Sequence, residues 1–204
     1  MALILASASP RRQELLRAAG IAFSVQATDI PEVPAEGELP TAFAERLARE
    51  KALTVAHSHP NDFVLGADTI VVIDGQILGK PRDASDAARM LQLLSGRDHK
   101  VTTGVCLISP IYQASPSQSA TKQSATSTRI ADLRSETTIV TMTTITEDEI
   151  QSYVATGEPM DKAGAYAIQG VASRWITRIE GDYSNVVGLP VSLVYRMLNA
   201  RQTQ

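Results

Sequence analysis

A single cysteine, Cys106, occurs in 204 residues, so no intramolecular disulfide can form and an oxidising compartment is not implied. Cys106 sits in the apolar run Gly104-Val105-Cys106-Leu107-Ile108 and is expected to fill core space rather than act as a nucleophile. There is no basic excess: 19 Lys and Arg against 22 Asp and Glu leave a net charge of −3. Such a balance offers no global field for a nucleic-acid polymer, although it leaves room for a local basic pocket. No apolar run is long enough to span a bilayer, so no membrane partner is expected. The first residues lack the basic-then-apolar pattern of a signal peptide, which makes the cytoplasm the expected compartment. Histidine is scarce, and His57, His59 and His99 lack companion Cys, His or acid residues at zinc spacing; all three are expected at the surface. Neither a Gly-X-Ser-X-Gly elbow nor a full P-loop spacing is present, which argues against an α/β-hydrolase triad and a P-loop ATPase. Apolar residues at 44% and charged residues at 20% describe an ordinary globular chain, long enough for one substantial α/β domain or two small lobes.

Strand and helix patterns alternate along the chain, which predicts an α/β or mixed fold. The run Leu3–Leu5 reads as a buried strand, followed by a tight turn and a helix that starts at Pro10 and ends at Gly20, with Ser9 as its N-cap. Residues 28–40 carry Pro31, Pro34, Pro40 and four acids and read as an irregular acidic loop. Thr41 to Ala56 has a core-facing stripe of Phe43, Leu47, Ala48, Ala52 and Val55 and reads as a helix. Phe63–Ile73 is a buried strand, Asp74-Gly75 a hairpin turn and Gln76–Leu78 its short return. Ser85–Leu94 reads as a helix, Lys100–Ile108 as a strand, and Arg134–Thr146 as a long strand that pairs with it. Between them, eleven of the seventeen residues at 112–128 are Ser, Thr or Gln, which predicts an exposed, mobile loop. Glu147–Thr156 and Ser192–Ala200 read as the last two helices.

Arg11 and Arg12 stand in the first helical turn, where the partial positive charge of the helix favours acids. With Ser7, Ser9 and the free N–H groups of the turn they make a candidate phosphate site; solvated arginines on a capped helix are the plainer reading. Asp68 lies inside the apolar run Val64–Val72, where a carboxylate needs a partner or a metal. It can act as a general base or a Mg²⁺ ligand, or cap amides where the strand bends at Gly66. Lys51 and Lys80 are candidate phosphate charges, and Arg46 and Glu50 are spaced to pair on an exposed helix face. The segments 157–170 and 180–190 mix glycines with Tyr166, Gln169, Asp182 and Asn185, poor core material that suits a pocket wall. Gln169 can meet a base edge as donor and acceptor, and Tyr166 can pack on a ring.

In order, Ser7-Ala8-Ser9-Pro10-Arg11-Arg12, Arg49-Glu50-Lys51-Ala52, Gly66-Ala67-Asp68-Thr69, Gly79-Lys80-Pro81, Gly157-Glu158-Pro159 with Asp161-Lys162-Ala163-Gly164, and Asn185-Val186-Val187-Gly188-Leu189-Pro190 resemble the Maf family of nucleoside triphosphate pyrophosphatases. The likeness covers nearly the whole chain; the departure is 109–136, longer than the family usually has there. It implies a single domain over residues 1–204 with the fold of the inosine triphosphate pyrophosphatases: an elongated mixed sheet flanked by helices, two lobes with a central cleft, commonly as a homodimer. Thr69 after Asp68, and Ile168-Gln169-Gly170, resemble the dTTP/UTP branch rather than the 7-methyl-GTP branch. By that likeness Asp68 is the proton acceptor, Arg11, Thr69 and Gln169 set base specificity, and Ser7, Ser9, Arg11, Arg12, Lys51 and Lys80 hold the triphosphate. A Mg²⁺ or Mn²⁺ cofactor is implied, with Asp68 and, from the acidic loop, Glu32 as its candidate ligands. Two alternatives stay open: a cell-division regulator that binds nucleotide without turnover, and the same chemistry on 7-methyl-GTP.

Overall fold

The computed structural model describes residues 2–110 and 130–200, so the Ser/Thr/Gln-rich stretch at 112–128 lies outside the described residues. Among the described residues seven strands form one mixed sheet: β1 (Leu3–Leu5), β2 (Ser24–Val25), β3 (Phe63–Ile73), β4 (Gln76–Leu78), β5 (Asp98–Ile108), β6 (Ile130–Met142) and β7 (Ile176–Glu180). The order is β2-β1-β3-β5-β6-β7, with β4 beside the far end of β3. β1 runs parallel to β2 and β3, whereas β3, β5, β6 and β7 are joined antiparallel. Among the described residues six α-helices flank the sheet: α1 (Pro10–Ala18), α2 (Pro40–Ala56), α3 (Ala84–Leu94), α4 (Glu147–Ala155), α5 (Tyr183–Val187) and α6 (Val191–Asn199).

Period-two alternation divides the central strands between two cores. Leu3, Leu5, Leu65, Ala67, Val105 and Leu107 pack with Leu16 of α1 and with Leu193, Val194 and Met197 of α6. Ile4, Val64, Cys106 and Ile108 face the other way, onto Ala48, Ala52 and Val55 of α2. Burial on both faces explains why these strands read as continuous apolar runs. Cys106 is fully buried, and its thiol is pushed up to about 12, in keeping with a core filler.

Gly66 is not a bend. A Cβ there would lie 2.1 Å from the Ala48 carbonyl oxygen, and one at Gly104 would lie 2.3 Å from that of Ala44. Two glycines on adjacent strands face alanines one helical turn apart, so the α2 backbone rests directly on the sheet.

Capping accounts for most helix ends. Ser9 accepts from the Arg12 N–H, Asp83 from that of Asp86, and Gly20 and Gly96 follow α1 and α3 in the left-handed region. The Asp74-Gly75 turn has φ of 50° and 77°, as a tight hairpin requires. The long strand expected to reach Thr146 stops at Met142. Thr146 and Glu149 form a reciprocal capping box that starts α4, a helix signal hidden in a threonine-rich run. β7 and the short α5, whose N-cap Asp182 accepts from Ser184 and Asn185, add elements that the pattern at 176–187 did not announce.

Candidate active site

The strand edge opens where β1 ends. β1 pairs with Phe63–Leu65 and β4 with Val71–Ile73, so among the described residues no strand covers Gly66–Ile70 on that side. A cavity of about 590 Å³ occupies this gap. It lies past the carboxyl end of a parallel strand, the position where open α/β sheets hold ligands. Ser7, Ser9, Arg11, Arg12, Glu32, Lys51, Asp68, Thr69, Lys80 and Gln169 all line it. Six separate chain segments thus converge on one cavity.

Asp68 is the middle residue of β3 and shares the α2-facing side of the strand with Val64 and Gly66. Because α2 rests on glycine there, Lys51 reaches it: Lys51 Nζ donates to Asp68 Oδ1 at 2.5 Å and to Glu32 Oε1 at 2.6 Å. Burial pushes the Asp68 carboxyl above its ordinary range, against the opposing pull of Lys51 and Arg12. Glu32 is half-exposed; its burial is outweighed by Lys51 and Lys80, and its carboxyl is held below the ordinary range. Lys80 is more exposed and lies 3.5 Å from Glu32. Both carboxylate oxygens contact the same nitrogen, so they stand within about 5 Å of each other. Among the described residues no group of three or more His, Cys, Asp or Glu side chains is placed to hold a metal ion. Asp68 and Glu32 nevertheless suit a hard cation, since Mg²⁺ is commonly held by one or two carboxylates together with substrate phosphates.

The two neighbouring arginines are separated by their position on α1. Arg11 is partly exposed and pairs with Asp161 Oδ2 at 3.2 Å across the cavity rim. Arg12 is buried, and its fork is filled by protein: Nε donates to Gly188 O at 2.8 Å, Nη1 to Ser7 Oγ at 3.0 Å and Nη2 to Thr69 Oγ1 at 3.1 Å. Ser7 also accepts from the Ser9 N–H, and Thr69 bonds Thr103 Oγ1 at 2.9 Å and Gly188 O at 3.2 Å. Arg12 therefore ties the first turn to β3 and to the α5–α6 connection. Thr69 and Ser7 are occupied in that network, and Ser9 caps α1 through the Arg12 N–H.

Gln169 is exposed in the cavity wall with no side-chain hydrogen bond among the described residues. Tyr166 is buried, and His99 corrects the expectation of a surface histidine: only 3% exposed on β5, its Nε2 pairs with Tyr166 OH at 2.8 Å. The strand begins at Asp98, two residues before the expected Lys100, and turns the imidazole inward. Burial lowers its pKa to about 4, and among the described residues its Nδ1 has no partner. Tyr166 packs edge-on against that ring, with centroids 5.4 Å apart. His57 is exposed and His59 half-buried. The pair of Arg46 and Glu50 forms at 3.2 Å, and Arg46 also holds Glu38 at 2.7 Å.

Two charges escaped the reading of single positions. Lys162 Nζ donates to Asp161 Oδ1 at 2.6 Å and to the Glu158 carbonyl at 2.7 Å, on the cavity wall facing Arg11. Asn185 lies behind the wall, with no exposure, and donates from Nδ2 to Val101 O and Thr138 Oγ1, anchoring α5 to the sheet.

A mixed sheet with a cavity at the end of its first parallel strand, lined by side chains of both charges around a buried carboxylate, defines an α/β protein with a ligand-sized site at its sheet edge. The Maf-like protein model matches residues 2–201, and the chain belongs to that family. Its similarity to curated relatives extends over nearly full length. It is 55% identical to a dTTP/UTP pyrophosphatase of Koribacter versatilis, over 97% of this chain and 93% of the relative. It is 50% identical to a dTTP/UTP pyrophosphatase of Geobacter metallireducens, over 93% and 90%, and 48% identical to one of Syntrophomonas wolfei, over 98% and 97%. Among the described residues no helix is long and apolar enough to cross a membrane.

Proposed function

We propose that the protein hydrolyses nucleoside triphosphates, dTTP and UTP foremost, to the monophosphate and pyrophosphate. The observation that carries this reading is the buried Asp68 carboxylate, bound to Lys51 on the floor of a cavity whose rim offers Arg11 and Lys80. The relatives named dTTP/UTP pyrophosphatase support the substrate class.

In the proposed reaction a water oxygen forms a bond to the α-phosphorus while the bond from that phosphorus to the bridging oxygen breaks. Pyrophosphate leaves with the electron pair. Asp68 Oδ accepts the water proton, a role favoured by burial, which raises its affinity for protons. Lys51 orients that carboxylate and meets phosphate charge. Arg11, Lys80 and the Ser9 turn bind the phosphates, while Arg12 holds the turn, Thr69 and Gly188 in place. Gln169 reads the pyrimidine edge.

Charge arithmetic favours a divalent cation. Arg11, Arg12, Lys51, Lys80 and Lys162 line the cavity, and Asp29, Glu32, Asp68 and Asp161 nearly cancel them. That balance leaves too little positive charge for a triphosphate. Mg²⁺ or Mn²⁺, held by Asp68 and Glu32, supplies the missing charge and polarises phosphate oxygens when bound. A homodimer in the cytoplasm is part of the same reading, supported by the family resemblance; light scattering tests the dimer.

The test is release of monophosphate and pyrophosphate from a panel of nucleoside triphosphates with Mg²⁺ or Mn²⁺, in the wild type and Asp68→Asn. Turnover of dTTP and UTP that is lost in the variant and after EDTA treatment supports the reading. Nucleotide binding without release from any member of the panel refutes the enzyme and favours a binding regulator. Preference for 7-methyl-GTP refutes the pyrimidine assignment alone.

A further inference from the structure

Among the described residues Gln169 has no side-chain partner, so its reach into the cavity depends on how its backbone is held. Residues 167–171 form a turn closed by the Gly170 N–H donating to the Ala167 carbonyl at 3.0 Å. Both ends of this turn are tied to the same pair of side chains. The Ala167 N–H donates to Tyr153 Oη at 3.3 Å, and the Val171 N–H donates to Glu158 Oε2 at 3.5 Å. Tyr153 O–H in turn donates to Glu158 Oε1 at 2.8 Å, which joins the two ties. Among the described residues these are the only side-chain hydrogen bonds to the backbone of 167–171.

The pair is itself braced. Tyr153 lies on α4, is 1% exposed, and packs edge-on against Trp175 with ring centroids 5.3 Å apart. Trp175 Nε1 donates to Glu149 on the same helix. Glu158 is pressed against the turn so closely that a Cβ at Gly170 would lie 1.9 Å from its Oε1. Glycine beside Gln169 is therefore a requirement of the carboxylate's position and not of the backbone angle, since Gly170 has a φ of −103°.

We infer that Tyr153 and Glu158 are positioning residues for base selection: they hold the turn at both ends and so set where the Gln169 amide meets the nucleobase. The inference rests on the reading that Gln169 contacts the base. Neither residue lines the cavity, so they act through Gln169 and not on the phosphates.

The experiment compares kcat and KM for UTP and CTP with Mg²⁺ in the wild type, Gln169→Ala, Tyr153→Phe and Glu158→Gln. Tyr153→Phe and Glu158→Gln each lower the UTP-to-CTP ratio of kcat/KM about fivefold, the equivalent of one lost hydrogen bond, mainly through KM and with kcat for UTP within about twofold of wild type. Gln169→Ala lowers the same ratio. If Gln169→Ala lowers it while both positioning variants keep the wild-type value, the inference is overturned and the role of Gln169 survives. An equal loss on both nucleotides in the positioning variants assigns the pair a structural role only and also overturns it. A wild type indifferent to the base, or an unchanged ratio in Gln169→Ala, removes the reading beneath the inference and the inference with it. Glu158→Gln keeps the side-chain shape, so it carries the test if Tyr153→Phe does not fold.

Discussion

The Lys51 ammonium stands 2.5 Å from Asp68 Oδ1, and each residue is less than a tenth exposed. A helix cation and a strand anion thus neutralise each other on the cavity floor, with Glu32 as the second partner of the same nitrogen. The two ends of this pair differ in what their removal leaves behind. Asp68→Asn keeps the shape and leaves Lys51 bound to Glu32, so turnover is lost with a small change in melting temperature. Lys51→Met removes the cation bonded to both carboxylates, leaves Asp68 buried without its partner while Lys80 still faces Glu32, and costs about 3 kcal/mol at neutral pH. The loss shrinks on acidification, because Asp68, already pushed upward by burial, takes up a proton first. Urea unfolding of both variants at several pH values checks this.

Adjacent arginines have opposite fates. Arg12→Lys cannot reproduce three directed bonds to Gly188, Ser7 and Thr69 and lowers stability by about 2 kcal/mol. Arg11→Lys keeps the charge but loses the guanidinium fork at the solvent rim, changes stability by less than about 0.5 kcal/mol, and raises KM several-fold. Denaturation midpoints and steady-state kinetics separate the two.

His99 makes the fold sensitive to acid. Its pKa is lowered to about 4 by burial, whereas the unfolded chain has the ordinary value of 6.5. Between these values the unfolded state binds the extra proton, so stability falls as pH drops from 6.5 towards 4. The contribution is about 3 kcal/mol across that window. His99→Gln flattens this part of the stability–pH profile, which chemical denaturation at stepped pH measures.

The contact of α2 with the sheet admits no methyl group. Gly66→Ala and Gly104→Ala place a Cβ against backbone oxygens of Ala48 and Ala44 and cost about 3 kcal/mol or more each. Gly79→Ala meets nothing within 4 Å and has no left-handed φ, so its stability changes by less than about 0.5 kcal/mol. Thermal melts of the three variants decide the point.

Local signals in the chain were legible where the physics is local. Ser9 before Pro10, Gly20 after α1, Asp74-Gly75 between β3 and β4, and the α2 stripe each follow from capping, turn geometry or periodicity. The end of β6 was misread because threonines favour strands, while the capping box at Thr146 depends on a partner three residues on. α5 was hidden because five residues carry too little periodicity to register. Gly66 resembled a bend because what requires glycine there is the α2 backbone, distant in the chain.

By itself the sequence determined the alternation of strands and helices, the family, and the residue types gathered at the cavity. The alternation follows from hydrophobic period, caps and turn residues, which act within a few positions of one another, and the family from the resemblance of its ordered motifs. Tertiary structure alone decided which of those residues open onto the cavity and which are held by protein. Arg12 turned inward to Gly188, 176 residues away. His99 was carried into the core by a strand register, and Asp68 met Lys51 because two glycines let α2 approach the sheet. Each outcome depends on distances between segments remote in sequence, and only packing sets those distances.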